Sequence, residues 1–110
     1  MVVRTSYHDL LDLPGGGMET GEDPREAAIR ELREETGVEA PPEALAAEGI
    51  YRYDDLGRRV TAHVFAYRPS EPPVPMIDRR EIVWAGLLQR AELAQGRISP
   101  QLTAYLTALG

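Results

Sequence analysis

The alternation of hydrophobic and polar positions predicts several short strands. Aromatic and β-branched residues stand on both sides of Leu56-Gly57 in "GIYRYDD-LG-RRVTAHVFAYR", which is the pattern of a β-hairpin closed by a glycine-containing turn. Shorter apolar runs, each stopped by polar residues, glycine or proline, are typical of further strands. These runs lie at residues 2–4, 10–13 and 81–88.

A helix is predicted in the first third of the chain by its end signals. Asp23 is a good N-cap, Pro24 stands at the first helical position, and Glu26 completes a capping-box pattern. Gly37, directly after Thr36, is a natural C-terminal stop. The helix is therefore expected to run for about thirteen residues from near Pro24.

A second helix is predicted at the end of the chain, after Ser99 and Pro100. Its apolar residues share one face and are expected to meet the core. They are Leu102, Tyr105, Leu106 and Leu109. Residues 39–47 predict a linker with one short turn, and the prolines of 69–75 exclude regular structure. We therefore expect mixed α and β elements in one layered domain.

The bulk composition narrows the chemistry. A chain of 110 residues has room for one domain and no second. The absence of cysteine excludes disulfides, thiolate metal sites and a cysteine nucleophile. A net charge of -6 argues against nonspecific binding to nucleic acid or to an anionic membrane. Without a secretory signal or an apolar run of about 20 residues, a cytoplasmic location is expected.

The predicted central helix carries an acidic stripe, a row of three glutamates on one face. Glu31, Glu34 and Glu35 fall within an arc of about 100°, because positions i, i+3 and i+4 share a helix face. Like charges at this spacing repel unless a cation lies among them. Carboxylate oxygens suit magnesium or manganese. We therefore expect the three carboxylates to converge on a divalent cation.

The rest of this helix and the preceding glycines can also be explained without a site. Apolar residues beside the stripe are expected to pack on a sheet, and they are Ala28, Ile29 and Leu32. The opposite, solvated side is expected to hold Glu26, Arg30 and Arg33. A helix rich in Arg and Glu is more often an ordinary solvated surface, and a triple glycine is more often a turn. Neither feature alone establishes a site.

The combined spacing is far more specific. It reads Gly16, five residues, Glu22, seven residues, Arg30-Glu31-Leu32, one residue, Glu34-Glu35, one residue, Gly37-Val38. This resembles the Nudix box of the Nudix hydrolases at every specified position, over residues 16–38. The resemblance extends more weakly to "LDLPGG" before the box and to "VFAYRP" and "EIVWAGLL" after it.

The resemblance implies a single Nudix domain over residues 1–110, an α/β/α sandwich around a central mixed sheet, with the box as a loop-helix-loop. It implies a hydrolase that cleaves a pyrophosphate bond in a nucleoside diphosphate linked to another moiety. Members use a divalent metal, here Mg²⁺ with Mn²⁺ as the alternative, and water activated by that metal attacks phosphorus. The substrate itself, the number of metal ions and the general base stay open.

The same resemblance assigns residue roles. Glu31, Glu34 and Glu35 would be the metal ligands, and Glu22 and Arg30 would orient the loop and the helix, with Glu22 a candidate outer ligand. The glycines would let the backbone approach the metal or its phosphate ligand. They are Gly15, Gly16 and Gly17.

The chain departs from the family pattern at its beginning, where thirteen residues precede Pro14. The first family strand is therefore expected to be missing or completed by a second chain, which predicts a homodimer, since an unpaired strand edge invites pairing. The alternative function is a catalytically weak or inactive Nudix-like module that binds a nucleotide or serves regulation.

Residues outside the box give weaker signals. Glu81 is a candidate for an additional acidic residue at the site, although a solvated strand start is the simpler explanation. Tyrosines are candidates to stack on a base and arginines to contact phosphate, but each is more often ordinary surface or core. They are Tyr7, Tyr51 and Tyr53, and Arg58, Arg59, Arg79 and Arg80. Trp84 is expected in the core, and both His8 and His63 are expected to be structural or surface residues.

Overall fold

The order of elements is that of a mixed α and β fold, as predicted. The structure is a computed structural model that describes residues 2–5, 10–15, 17–77, 82–86, 88, 90–93 and 97–109. Its strands are β1 (Val2–Thr5), β2 (Leu11–Asp12), β3 (Leu45–Asp55), β4 (Arg58–Tyr67) and β5 (Ile82–Gly86). Its helices are α1 (Pro24–Thr36), α2 (Arg90–Leu93) and α3 (Pro100–Leu109), with a 3₁₀ turn at Pro42–Ala44.

The strands form two sheets. One has the order β2-β1-β5, with β1 in the middle and antiparallel to both neighbours. The other is the antiparallel β3–β4 hairpin. A parallel bridge between Leu11 and Ile98 ties β2 to the segment before α3. Parallel and antiparallel pairings therefore both occur within the described residues, and the first strand lies at the centre of its sheet.

The predicted hairpin is confirmed, and its turn has the expected geometry. Leu56 and Gly57 have φ angles of 49° and 78°, as a two-residue type I′ turn requires. Alternate residues are half-buried on the inner face, and they are Tyr51, Tyr53, Val60, Ala62 and Val64. The residues between them point outward and are exposed, and they include Arg52, Asp54, Arg59, Thr61 and His63.

The predicted linker at residues 39–47 is wrong at its end, because β3 begins at Leu45. Leu45 is buried and pairs with Tyr67, and Ala46 and Ala47 pair with the next two residues of β4. Alanine has little preference for strands. Long-range pairing to β4 therefore decides the conformation of this segment.

The main core cluster joins four elements and consists of Val2, Leu11, Leu93 and Leu102. The predicted stripe on α3 is confirmed for Leu102, which is 1% exposed, and for Tyr105 and Leu106, which pack on this cluster. The side chain of Leu109 lies outside the described residues. The one-turn helix α2 was not predicted, because four residues are too few to show a period.

Both ends of α1 form as predicted. The Asp23 carboxylate accepts a hydrogen bond of 2.8 Å from the Glu26 N–H, and Gly37, with φ 73°, donates to the Arg33 carbonyl at 2.8 Å. The Met76 N–H donates to the Thr36 carbonyl at 2.6 Å. The proline-rich segment is therefore tied to the C-terminal end of α1. Within the described residues, no helix is long and apolar enough to cross a bilayer.

This junction generates a stability prediction. Gly37→Ala is expected to lower the free energy of unfolding more than Gly21→Ala, with a difference of about 1 kcal/mol or more. Both glycines have positive φ, 73° and 85°, so alanine meets similar backbone strain at each. A Cβ at position 37 would lie 2.9 Å from the Met76 carbonyl oxygen, whereas at position 21 it would meet nothing within 4 Å.

Urea denaturation of the two variants and the parent chain measures the difference. Equal losses of stability would contradict the close approach of Met76 to the end of α1.

Candidate active site

The loop before α1 folds back on itself through Glu22. The Glu22 N–H donates to the Glu19 carbonyl at 3.0 Å, and the Glu22 side chain accepts from the Glu19 N–H at 2.8 Å. These two bonds form a compact turn directly before the Asp23 cap. The Glu22 carboxylate is thereby held beside the first turns of the helix.

Arg30 clamps this loop onto α1. Its Nε and Nη2 donate to the two Glu22 carboxylate oxygens at 2.7 and 3.0 Å, and Nη2 also donates to the Gly17 carbonyl at 2.9 Å. The side chains of Arg30 and Glu22 are only 13% and 15% exposed. The expectation that Arg30 lies on the solvated side of α1 is therefore wrong, because the loop covers that side and brings Glu22 to it.

The same guanidinium reaches the acidic stripe. Arg30 Nη1 donates to Glu31 Oε1 at 2.8 Å and to Glu34 Oε2 at 3.0 Å, and it lies 3.6 Å from Glu19 Oε1. One cation therefore contacts carboxylates from the loop and from the helix. This pairing offsets the repulsion that the stripe would otherwise suffer.

Glu35 turns toward the glycine segment. Its Oε2 accepts a hydrogen bond of 2.5 Å from the Gly15 N–H. A Cβ added to Gly15 or to Gly17 would meet no atom within 4 Å, so both glycines border open space. Gly16 lies outside the described residues. The backbone beside Glu35 is therefore open to a ligand.

The expected convergence of three carboxylates is not present in this arrangement. Within the part of the chain that the structure describes, no group of three His, Asp or Glu side chains is placed to hold a metal ion. The physical reason is that Arg30 binds Glu31 and Glu34, while a backbone N–H binds Glu35. The donors are nevertheless hard carboxylate oxygens at positions i, i+3 and i+4 of α1, and oxygen is the ligand type that a divalent cation such as Mg²⁺ prefers. The Glu34 side chain is 53% exposed and has room to reorient.

The clamp also sets the protonation of its members. The Arg30 hydrogen bonds, helped by the Glu19 backbone N–H, hold the pKa of the Glu22 carboxyl below its ordinary value. The hydrogen bonds from Arg30 to Glu22 and Glu31 raise the pKa of the Arg30 guanidinium above its ordinary value. Both groups are therefore charged at neutral pH.

A second set of contacts, which the sequence reasoning missed, fixes the strand that leads into the loop. Asp12 Oδ1 accepts from the Ser99 hydroxyl at 2.5 Å and from the Leu13 N–H at 2.7 Å. Ser99 is 3% exposed, and its oxygen also accepts from the Leu102 N–H. A carboxylate directly before "LPGG" is the local signal, but its partner lies 87 residues away.

The candidate tyrosines, arginines and histidines outside the box differ in their contacts and exposure. Tyr51 packs edge to face on Tyr105, and the Tyr53 hydroxyl donates to Gln101 Oε1 at 3.2 Å. Arg59 pairs with Asp54 at 2.9 Å. His63 is exposed on the outer hairpin face, as a surface residue should be. The candidates outside the described residues are Tyr7, His8, Arg79, Arg80, Glu81 and the side chain of Trp84.

Two curated proteins among those similar to this chain match parts of it. A putative 8-oxo-dGTP diphosphatase of Bacillus subtilis is 45% identical over 53 residues, which are 47% of this chain and 34% of that protein. An RNA pyrophosphohydrolase of Roseobacter denitrificans is 58% identical over 36 residues, 33% of this chain and 22% of that protein. The chain spans about a third or less of the curated relatives it matches.

The structural comparison covers nearly the whole fold. A bifunctional NMN adenylyltransferase/ADP ribose pyrophosphatase of Francisella tularensis, solved in complex with AMP and a Mn ion, has a TM-score of 0.72 and 29% identity. The match covers 98% of this chain and 36% of that one. The family model described as NUDIX domain matches residues 1–108. The chain therefore belongs to the Nudix family.

Proposed function

We propose that the protein is a metal-dependent hydrolase that cleaves the pyrophosphate bond of a nucleoside diphosphate linked to another moiety. The observation that carries this proposal is the cluster around Arg30, which joins Glu22 of the loop to Glu31 and Glu34 of the helix. The names of the three similar proteins support it, because a diphosphatase, a pyrophosphohydrolase and a pyrophosphatase all hydrolyse the same type of bond, a pyrophosphate bond.

The residues that would hold a divalent cation are Glu31, Glu34 and Glu35. Mg²⁺ is the proposed ion, with Mn²⁺, present in the complex of the structural neighbour, as the alternative. When bound, such a cation offsets charge on phosphate oxygens and makes an associated water more acidic. It also resolves a conflict of charge, since the chain carries a net charge of -6 and the proposed substrate is an anion.

The chain's own residues have separate tasks in this proposal. Arg30 and Glu22 hold the loop against the helix. Gly15 and Gly17 leave space beside the backbone, so that a diphosphate can approach it closely. The Gly15 N–H orients Glu35 at the edge of that space.

A second candidate function is a module that binds a nucleotide without hydrolysing it. The observation in its favour is that Arg30 already pairs with Glu31 and Glu34, two of the three proposed ligands. Such a module would be stabilised thermally by a nucleotide without forming product.

The cytoplasmic location stays a prediction.

Removing charge from the helix face tests catalysis. Glu34→Gln and Glu35→Gln are each expected to lower turnover by about 100-fold or more while the fold is retained, because the amide keeps a hydrogen-bonding oxygen but loses the charge that binds a cation. Turnover is measured on a panel of nucleoside diphosphate derivatives with Mg²⁺. A chelator should abolish it in the parent chain.

Glu43→Gln is the matched control, because Glu43 is an exposed carboxylate outside the cluster. It should retain full turnover. Hydrolysis that survives Glu35→Gln, or that needs no metal, would contradict the proposal.

The lowered pKa of Glu22 generates a pH prediction. A carboxyl whose pKa is depressed by folding stabilises the fold above its unfolded pKa, near the ordinary 4.5, and this contribution is lost as the pH falls through the lower folded value. Glu22→Gln should therefore be less stable than the parent chain at neutral pH. The difference should shrink below pH 4.5.

Urea denaturation from neutral pH to below 4.5 measures this, with Glu43→Gln again as the control. A stability difference between Glu22→Gln and the parent that stays constant with pH would contradict the clamp.

We also propose a homodimer. Within the described residues, β5 pairs with β1 on one side only, and a strand edge of this kind can pair with a second chain. Light scattering at micromolar concentration should give twice the mass of one chain. A monomer mass would remove this proposal.

A further inference from the structure

A groove of about 780 Å³ lies between the box loop and the tip of the β3–β4 hairpin. Gly15 and Gly17 line one wall, the first turns of α1 and α3 line others, and the hairpin supplies Tyr53 and Arg58. Because Gly15 is bonded to Glu35, the groove begins at the proposed reaction site. A ligand whose diphosphate lies over the glycines would therefore extend toward the hairpin tip.

The groove has the character of a binding site for a flat aromatic group. Tyr53 and Val60 line it from the inner hairpin face, and Met18 and Leu56 line it while remaining 56% and 96% exposed. Exposed apolar side chains next to a half-buried tyrosine ring favour binding of a planar aromatic group, because such a group covers the apolar surface and stacks on the ring. The Tyr53 hydroxyl is bonded to Gln101, which fixes the orientation of the tyrosine ring.

Two charged side chains line the groove in the described part of the chain, and only one is positive. Arg58 is exposed and lies directly across the hairpin from Asp55. Asp12, the negative one, is bonded to Ser99 and Leu13. An exposed guanidinium in a groove of an acidic protein favours an anionic ligand. The neighbouring Arg59 faces outward and pairs with Asp54.

We propose that the hairpin tip binds the nucleoside end of the substrate. The base stacks on the Tyr53 ring between Met18 and Leu56, and Arg58 donates hydrogen bonds to a phosphate oxygen. Tyr53 and Arg58 are thereby residues that determine specificity, and they discriminate for an aromatic base carrying a phosphate. This inference rests on the proposed function, since it places the diphosphate over the glycine segment.

Two probes separate the tasks of the two residues. Calorimetry with Mg²⁺ present measures binding of adenosine, which has no phosphate, and of α,β-methylene-ADP, whose phosphorus-carbon bridge resists hydrolysis. Arg58→Gln should weaken binding of the ADP analogue about tenfold and leave adenosine unchanged. Tyr53→Leu should weaken both about tenfold, because both stack the same base.

The chain offers a matched control for each change. Arg59→Gln removes the same charge one residue away on the outer face, and it should bind both probes as the parent chain does. Tyr53→Phe loses the bond to Gln101 but keeps the ring, so it should weaken binding less than Tyr53→Leu does. The Phe variant therefore separates loss of stacking from loss of the hydrogen bond.

The inference is overturned if the parent chain binds neither probe, if Arg58→Gln and Arg59→Gln behave alike, or if Tyr53→Leu binds both probes normally. Hydrolysis of the nucleoside diphosphate panel, run in parallel, separates this result from the proposed function. Hydrolysis that depends on Glu35, with KM unchanged in Arg58→Gln and Tyr53→Leu, leaves the function standing and removes the subsite. The expected binding pattern without hydrolysis supports the subsite and removes catalysis.

Discussion

The pairing of Arg30 with Glu22 is the constraint on which the site depends. A loop that contains three glycines has no conformation of its own, and a helix face with three glutamates repels itself. One guanidinium answers both problems, because it binds the Glu22 carboxylate and the Gly17 carbonyl with one edge and Glu31 and Glu34 with its remaining nitrogen. The planar fork of arginine makes this possible, and a lysine could not reproduce it.

Much of this arrangement could be predicted where the signals are local. The limits of α1 follow from Asp23 and Gly37, whose capping bonds span only a few residues. The position of the hairpin turn follows from Gly57, whereas the positive φ of Leu56 does not follow from its residue type. The burial of Arg30 could not be predicted from helix periodicity, because the loop that covers it is not part of the helix. Ala46 and Ala47 became strand through pairing with residues about twenty positions away.

In the candidate site, too, local features could be predicted from the sequence and long-range contacts could not. Spacing made Glu31, Glu34 and Glu35 the candidate ligands and predicted one common focus, whereas the structure has two, around Arg30 and around Gly15. Which of two adjacent arginines faces the groove depends on hairpin register, which composition does not reveal. That register places Arg58 across from Asp55, on the hairpin face that also carries Tyr53, and it places Arg59 across from Asp54 on the other face. The groove is therefore a tertiary product of the loop, the hairpin and α3.

The central proposal is that Glu31, Glu34 and Glu35 hold a divalent cation. Titration with Mn²⁺, followed by electron paramagnetic resonance, tests it most directly, with the parent chain compared against a variant that combines Glu31→Gln, Glu34→Gln and Glu35→Gln. The account predicts saturable Mn²⁺ binding by the parent chain and its loss in the folded variant. Equal binding by both chains, or no binding by the parent, would contradict it.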